Sequence, residues 1–217
     1  MRRRGSVAEG NSLRDLTERA IHRQEQWRGN FLRVFRDRVA LPDGGRAERE
    51  YVAHPGAVMI VPLLEAAGGA LHVVLERQYR YPVQRTMIEF PAGKLDAAEA
   101  PLTCAQRELR EETGYSGRQW ARAGVVHVAI GYSDEVLEIW FARGLRAGSR
   151  QLDSGEFIEV FSASVAQVQD WCRSGAITDS KTLAGALWLQ NMLNGSWTPQ
   201  WRAASSAPAL GNVRESL

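Results

Sequence analysis

Residues 93–115 read GKLDAAEAPLTCAQRELREETGY, and this stretch decides the architecture. Pro101 suits a first helical turn, because its missing N–H would have no intrahelical partner there. Leu102, Ala105, Leu109 and Thr113 follow at spacings of three and four, which places them on one helical face. Gly114 is a natural stop. On the same helix Glu108 and Glu112 are four residues apart and stack on one ridge, with Glu111 bordering it. Each like-charged pair at that spacing costs a few tenths of a kcal/mol, and a purely structural helix gains nothing in return. A divalent cation reverses the sign of that interaction. Carboxylate oxygens unaccompanied by His or Cys suit Mg²⁺ or Mn²⁺, whose remaining coordination positions go to water and substrate phosphate. Leu102, Ala105 and Leu109 would pin the helix to a core. The plain alternative is a solvated acidic face with ordinary Arg–Glu pairs; the glycines at turn and stop positions weigh against it.

Strand-like segments surround this helix. GAVMIVPLL (56–64) reads as a buried strand, LHVVLERQYR (71–80) as its partner, and RTMIEFPAGKL (85–95) as a short strand entering a loop. Further strands are expected at 122–130, 135–142 and 157–163. VAQVQDWCRSG (165–175) and KTLAGALWLQNML (181–193) read as helices, the latter capped by Asp179 or Ser180. Upstream, FLRVFRDRVAL and AEREYVAH flank the turn LPDGG (41–45) and read as a β-hairpin. Residues 13–26 read as a short helix or a lead-in. Residues 1–12 form a flexible basic tail by composition, and 196–217 a poorly ordered one.

The 217 residues, 44% of them apolar and 24% charged, suffice for a real core and exclude a disordered or fibrous chain. No apolar run approaches the length of a membrane span, and no apolar stretch follows the N-terminal arginines as in a signal peptide. Cys104 and Cys172 form no CxxC, so neither a disulfide framework nor a zinc site is expected, and a cytoplasmic location fits. Of 27 basic residues only Lys94 and Lys181 are lysine. Residues 1–50 hold 12 Arg against 8 Asp and Glu, which is no nucleic-acid-binding stripe.

Residues 93–115 resemble the signature of the Nudix hydrolases, G-x5-E-x7-R-E-U-x-E-E-x-G-U, with U bulky and apolar. Gly93, Glu99, Arg107, Glu108, Glu111, Glu112 and Gly114 occupy every fixed position, and Tyr115 takes the last U. The resemblance implies an α/β class fold, an α/β/α sandwich about a mixed sheet, preceded here by a small N-terminal antiparallel β element. It implies hydrolysis of a nucleoside diphosphate linked to another moiety. It makes Glu108 and Glu112 metal ligands, Glu111 a further ligand or catalytic group, and the Ala92 carbonyl a member of the same shell. Arg107 and Glu99 fall to structural roles.

Beyond the signature, EREYVAHPGAV (48–58), ERQYRYPV (76–83), IEFPAGKLD (88–96), GYSDE (131–135), GEFIEV (155–160) and ITDSKTLAG (177–185) resemble the ADP-ribose pyrophosphatase branch. That branch implies a homodimer in which the N-terminal β element (13–52) is exchanged across the twofold and completes the partner's site on the hydrolase domain (53–195). The roles implied are Arg80 and Arg49 on phosphate, Glu89 on a ribose hydroxyl or behind the metal site, Trp27 or Phe31 stacked on adenine, and Glu156 as a mobile base. Ile130 departs from the pattern, standing where ADP-ribose enzymes often carry Pro. The rival readings are a Nudix hydrolase of GDP-mannose, dinucleoside polyphosphates or nucleoside triphosphates, and a non-catalytic nucleotide-binding module. The latter has no need of three carboxylates.

Overall fold

The computed structural model describes residues 14–65 and 68–204; the basic tail expected at 1–12 lies outside them, as does 205–217. The chain divides between Ala53 and His54 into two compact units. The first holds β1 (Arg19–Arg28), β2 (Arg33–Ala40) and β3 (Arg46–Ala53), an antiparallel sheet in that order. LPDGG makes the expected hairpin. Gly44, at φ +86°, sits in the left-handed region, the Leu41 N–H donates to the Gly45 carbonyl, and the Gly45 N–H donates to Asp43 Oδ1. The short helix or lead-in expected at 13–26 is instead mostly strand β1. Its few apolar residues make no helical stripe, and eight register pairs with β2 settle its conformation, helped by Arg23–Asp37 and Arg33–Glu25 ion pairs.

The second unit contains β4 (Ala57–Glu65), β5 (Leu71–Arg80), a single 3-10 turn (Tyr81–Val83), β6 (Arg85–Glu89), β7 (Ala92–Lys94), α1 (Pro101–Thr113), β8 (Tyr115–Ser116), β9 (Gln119–His127), β10 (Val136–Arg143), β11 (Arg146–Ala147), β12 (Ile158–Ser164), α2 (Val165–Ser174), α3 (Ser180–Leu193) and β13 (Arg202–Ala203). Its main sheet runs β12-β5-β4-β10-β9-β13, with β6 on β5 and β7 on β4. β4 and β10 are parallel and the other pairings antiparallel, so the sheet is mixed. A parallel pair covered on both faces explains the unbroken apolar run of β4. Val58 and Ile60 pack with Leu102, Ala105 and Leu109 of α1 on one face, while Met59 and Val61 join Phe90, Val168 and Leu189 on the other, where α2 and α3 lie. This is the α/β/α sandwich expected. No helix among the described residues is long and apolar enough to cross a membrane.

Residues 196–204, expected to open a loose tail, are anchored instead. Trp197 lies 5.2 Å from both Trp188 and Phe141, and β13 pairs with β9. The Ser, Ala and Pro content of this stretch concealed two tryptophans with apolar surface to bury.

Gly185 of α3 marks where that helix meets the sheet. A Cβ there would come 2.6 Å from Met59 Cε and 3.0 Å from Phe90 Cδ2, both residues fully buried. Gly185→Ala is therefore expected to destabilise the protein by about 1–2 kcal/mol, overpacking outweighing the gain in helix propensity. A lower urea midpoint checks this, and an unchanged or raised midpoint refutes it.

Candidate active site

α1 ends where its sequence says it should. Gly114 adopts φ +77°, and its N–H donates to the Arg110 carbonyl at 2.9 Å. The helix's apolar face is buried, and its glutamates line the side next to β7. Glu112 is 5% exposed, and its Oε2 accepts the Ala92 N–H at 3.0 Å. Gly93 lies directly against Glu108: a Cβ would fall 1.9 Å from the carboxyl carbon. The signature glycine is thus a space requirement, since backbone and carboxylate share a gap that no side chain fits.

Arg107 ties the loop to the helix. Its Nε and Nη2 donate to Glu99 at 3.0 and 2.8 Å, and its Nη1 donates to Glu108 at 2.8 Å and Glu111 at 3.1 Å. Glu99 also accepts the Asp96 N–H at 3.1 Å, closing the loop. The structural roles expected of Arg107 and Glu99 are what these bonds describe.

A second wall comes from the sheet. Arg80 of β5 grips Glu89 of β6 with a two-pronged bond, Nε–Oε1 2.7 Å and Nη2–Oε2 2.8 Å. Lys181 at the start of α3 also donates to Glu89, and to Asp179 at 3.0 Å. Asp179 caps α3 by accepting the Thr182 N–H, and the Thr182 hydroxyl accepts the Phe90 N–H at 3.1 Å. The end of β6 is therefore fastened to a helix start from another part of the chain.

The electrostatics follow from burial. Burial pushes Glu112 well above the ordinary carboxylate range, with Glu76 and Glu108 adding to it. Burial also raises Glu108, against the pull of Arg107. Glu76 of β5, 0% exposed, is pushed up to about 8 by burial and by Glu89. Burial alone would raise Glu89 too, but Arg80 and Lys181 outweigh it and hold this carboxyl low. Glu156, in the loop before β12, adds its charge to Glu76, Glu108 and Glu112, and its own Oε2 accepts the Asp153 N–H at 3.3 Å. It opens onto a groove with Tyr79, Arg150 and Phe157. Trp27 and Arg49 belong to the N-terminal unit. Trp27 is half-exposed near the end of β1, and Arg49 pairs with Glu18.

The residues fit a hard divalent cation. The donors are carboxylate and backbone oxygens, Glu108 and Glu112 carry a net burial penalty, and the glycine gap brings backbone against Glu108. Among the described residues no three acidic, His or Cys side chains have converged at ligand spacing; Glu108 and Glu111 bond to Arg107 instead.

The family model for the NUDIX domain matches residues 53–184. The chain belongs to the Nudix family. It is 31% identical over 180 residues to the ADP-ribose pyrophosphatase of Bacillus subtilis, covering 82% of this chain and 95% of that one. It is 32% identical over 175 residues to the methanol dehydrogenase activator of Bacillus methanolicus, covering 80% and 92%. A crystal structure of an ADP compounds hydrolase superposes with a TM-score of 0.73 at 22% identity, over 86% of this chain and 98% of that one, and so shares the fold.

Two residues of this Nudix site were not singled out in sequence. Lys181 carried a signal in being one of two lysines in an arginine-dominated chain. Glu76 shares a strand face with Val74 and Gln78, and that alternation was the available clue. For the Nudix glycine the expected outcome is specific. Gly93→Ala folds but displaces the Glu108 carboxylate, lowering kcat at least about tenfold. Steady-state assays beside circular dichroism check this; wild-type kcat in a folded variant refutes it.

Proposed function

We propose that the protein hydrolyses the diphosphate linkage of nucleoside diphosphate sugars, with ADP-ribose cleaved to AMP and ribose 5-phosphate as its main reaction. The observation that carries this reading is the Glu108–Glu112 ridge, half-buried at Glu108 and buried at Glu112, with the Arg80 guanidinium in electrostatic reach of Glu112. A relative named for ADP-ribose pyrophosphatase activity, aligned over most of both chains, supports the substrate.

Glu108, Glu112, Glu111 and the Ala92 carbonyl would hold the metal, Mg²⁺ or Mn²⁺. When bound, it supplies charge neutralisation on the diphosphate and acidifies the attacking water. Arg80, held by Glu89 through Nε and Nη2, turns its remaining guanidinium N–H groups to a phosphate and fixes the phosphorus in line for attack. Glu156 accepts the proton from the water at a carboxylate oxygen, with Glu111 or Glu112 as the neighbouring acceptors. The phosphorus–oxygen bond to the bridging oxygen breaks, and one product leaves with that oxygen.

In this reading residues 53–195 form the catalytic domain, and the β element 13–52 makes a homodimer. The partner copy brings Trp27 to stack on adenine and Arg49 to a phosphate. Two free thiols, Cys104 and Cys172, accord with a cytoplasmic setting.

The test is product chromatography with Mg²⁺ over ADP-ribose, GDP-mannose, dinucleoside polyphosphates and nucleoside triphosphates. AMP and ribose 5-phosphate should dominate, and EDTA should abolish them. Preferential GDP-mannose turnover would transfer the reading to another nucleotide sugar, with exposed Ile130 as the first suspect. Absence of turnover on the whole panel overturns it.

A further inference from the structure

Glu76 has no place in the chemistry described so far, and its surroundings give it no structural purpose. It is fully buried, and neither carboxylate oxygen has a hydrogen-bond partner among the described residues. The cations that act most on it, Arg80 and Lys181, are committed elsewhere. Arg80 spends its fork on Glu89, and Lys181 is shared between Glu89 and Asp179. The strand register sets Glu76 directly opposite Glu89 on β6 and Val160 on β12. Its charge also reaches Glu112, the most buried carboxylate of the α1 ridge. Buried polar atoms are almost always paired, and an unpaired carboxylate is among the costliest exceptions. An apolar residue, like its neighbours Val74 and Leu75, would avoid that cost. A group buried under these conditions calls for a partner that the described residues do not supply, and two unpaired oxygens whose charge reaches Glu112 suit a cation.

We propose that Glu76 is a further ligand of the divalent cation, contributed by the sheet and facing the set on α1. This rests on the metal-dependent reading above. A cation held by Glu76 together with the α1 carboxylates would brace the helix against the sheet, and without it Glu76 would be an unsatisfied group that strains the fold.

The test is direct Mn²⁺ binding, read from the electron paramagnetic resonance signal of free Mn²⁺, for wild type, Glu76→Gln, Glu76→Val and Glu112→Gln. Melting of each protein with and without Mn²⁺ accompanies it. Both Glu76 variants should bind Mn²⁺ at least about tenfold more weakly, or bind one ion fewer. Both should melt higher than wild type without metal and gain less on its addition. Wild-type affinity in Glu76→Gln overturns the proposal. So does normal affinity in Glu76→Gln with loss only in Glu76→Val, which would make residue 76 a hydrogen-bonding support. If wild type itself binds no Mn²⁺, the metal-dependent reading fails and this one with it. If Glu112→Gln weakens binding and the Glu76 variants do not, only the role of Glu76 fails.

Discussion

Glu112→Gln should leave a folded protein whose Mg²⁺-dependent turnover falls by about a thousandfold. The amide is nearly the same shape as the carboxylate, and its oxygen can still accept the Ala92 N–H, so β7 and α1 stay joined. What disappears is the negative charge. A ligand charge that counters a cation in a buried site is worth several kcal/mol in the transition state, and about 1.4 kcal/mol is one decade in rate. The metal-free variant should be at least as stable as wild type, because burial of the charged form opposes folding at this position. Calorimetry and steady-state rates on the same preparation decide the matter. Near-normal turnover with Mg²⁺ would remove Glu112 from the metal set.

The metal-free protein should lose stability as pH rises from about 5 to about 8, a direction opposite to that of proteins stabilised by paired carboxylates. Glu76 has an ordinary pKa of 4.5 and a folded value of about 8, and Glu112 is shifted in the same sense. Between those values the folded chain holds a proton that the unfolded chain has released. Stability therefore falls as pH rises, fully present below the unfolded value and lost through the folded one. The shifts are large and the groups buried, so the loss amounts to several kcal/mol, or a fall in Tm on the order of 10 °C. Glu89 and Glu99 act with the opposite sign. Both are held low by their arginines, so their contribution is lost below the ordinary carboxylate range, and the metal-free optimum falls near pH 5. Saturating Mg²⁺ should flatten the fall above pH 5, since a bound cation favours the charged carboxylates. Thermal melts in EDTA and in Mg²⁺ across this range provide the check. A flat profile in EDTA would mean that Glu76 and Glu112 titrate normally.

The parts of the site that could be read from the chain are local ones. Glu108, Glu111 and Glu112 are neighbours because a helix repeats every 3.6 residues, and nothing outside 101–113 is needed to bring them together. Pro101 and Gly114 bound that helix by their own backbone preferences. The β4 run announced burial on both faces. By contrast β1 could not be read as a strand, because its ten residues lack a pattern of their own and take their conformation from pairing with β2. The C-terminal anchor escaped for a similar reason: Trp197 has meaning only once Trp188 and Phe141 are adjacent.

The chain alone therefore sufficed for the carboxylate ridge, the helix bearing it, the buried strand beneath and the Nudix resemblance, since each depends on spacing within a few residues or one turn. Folding was needed to set Glu76 opposite Glu89, to deliver Lys181 across 92 residues to that carboxylate, and to press Gly93 against Glu108. Sheet register and helix docking bring distant segments together, and their energies come from burial summed over the whole core, which no short stretch encodes.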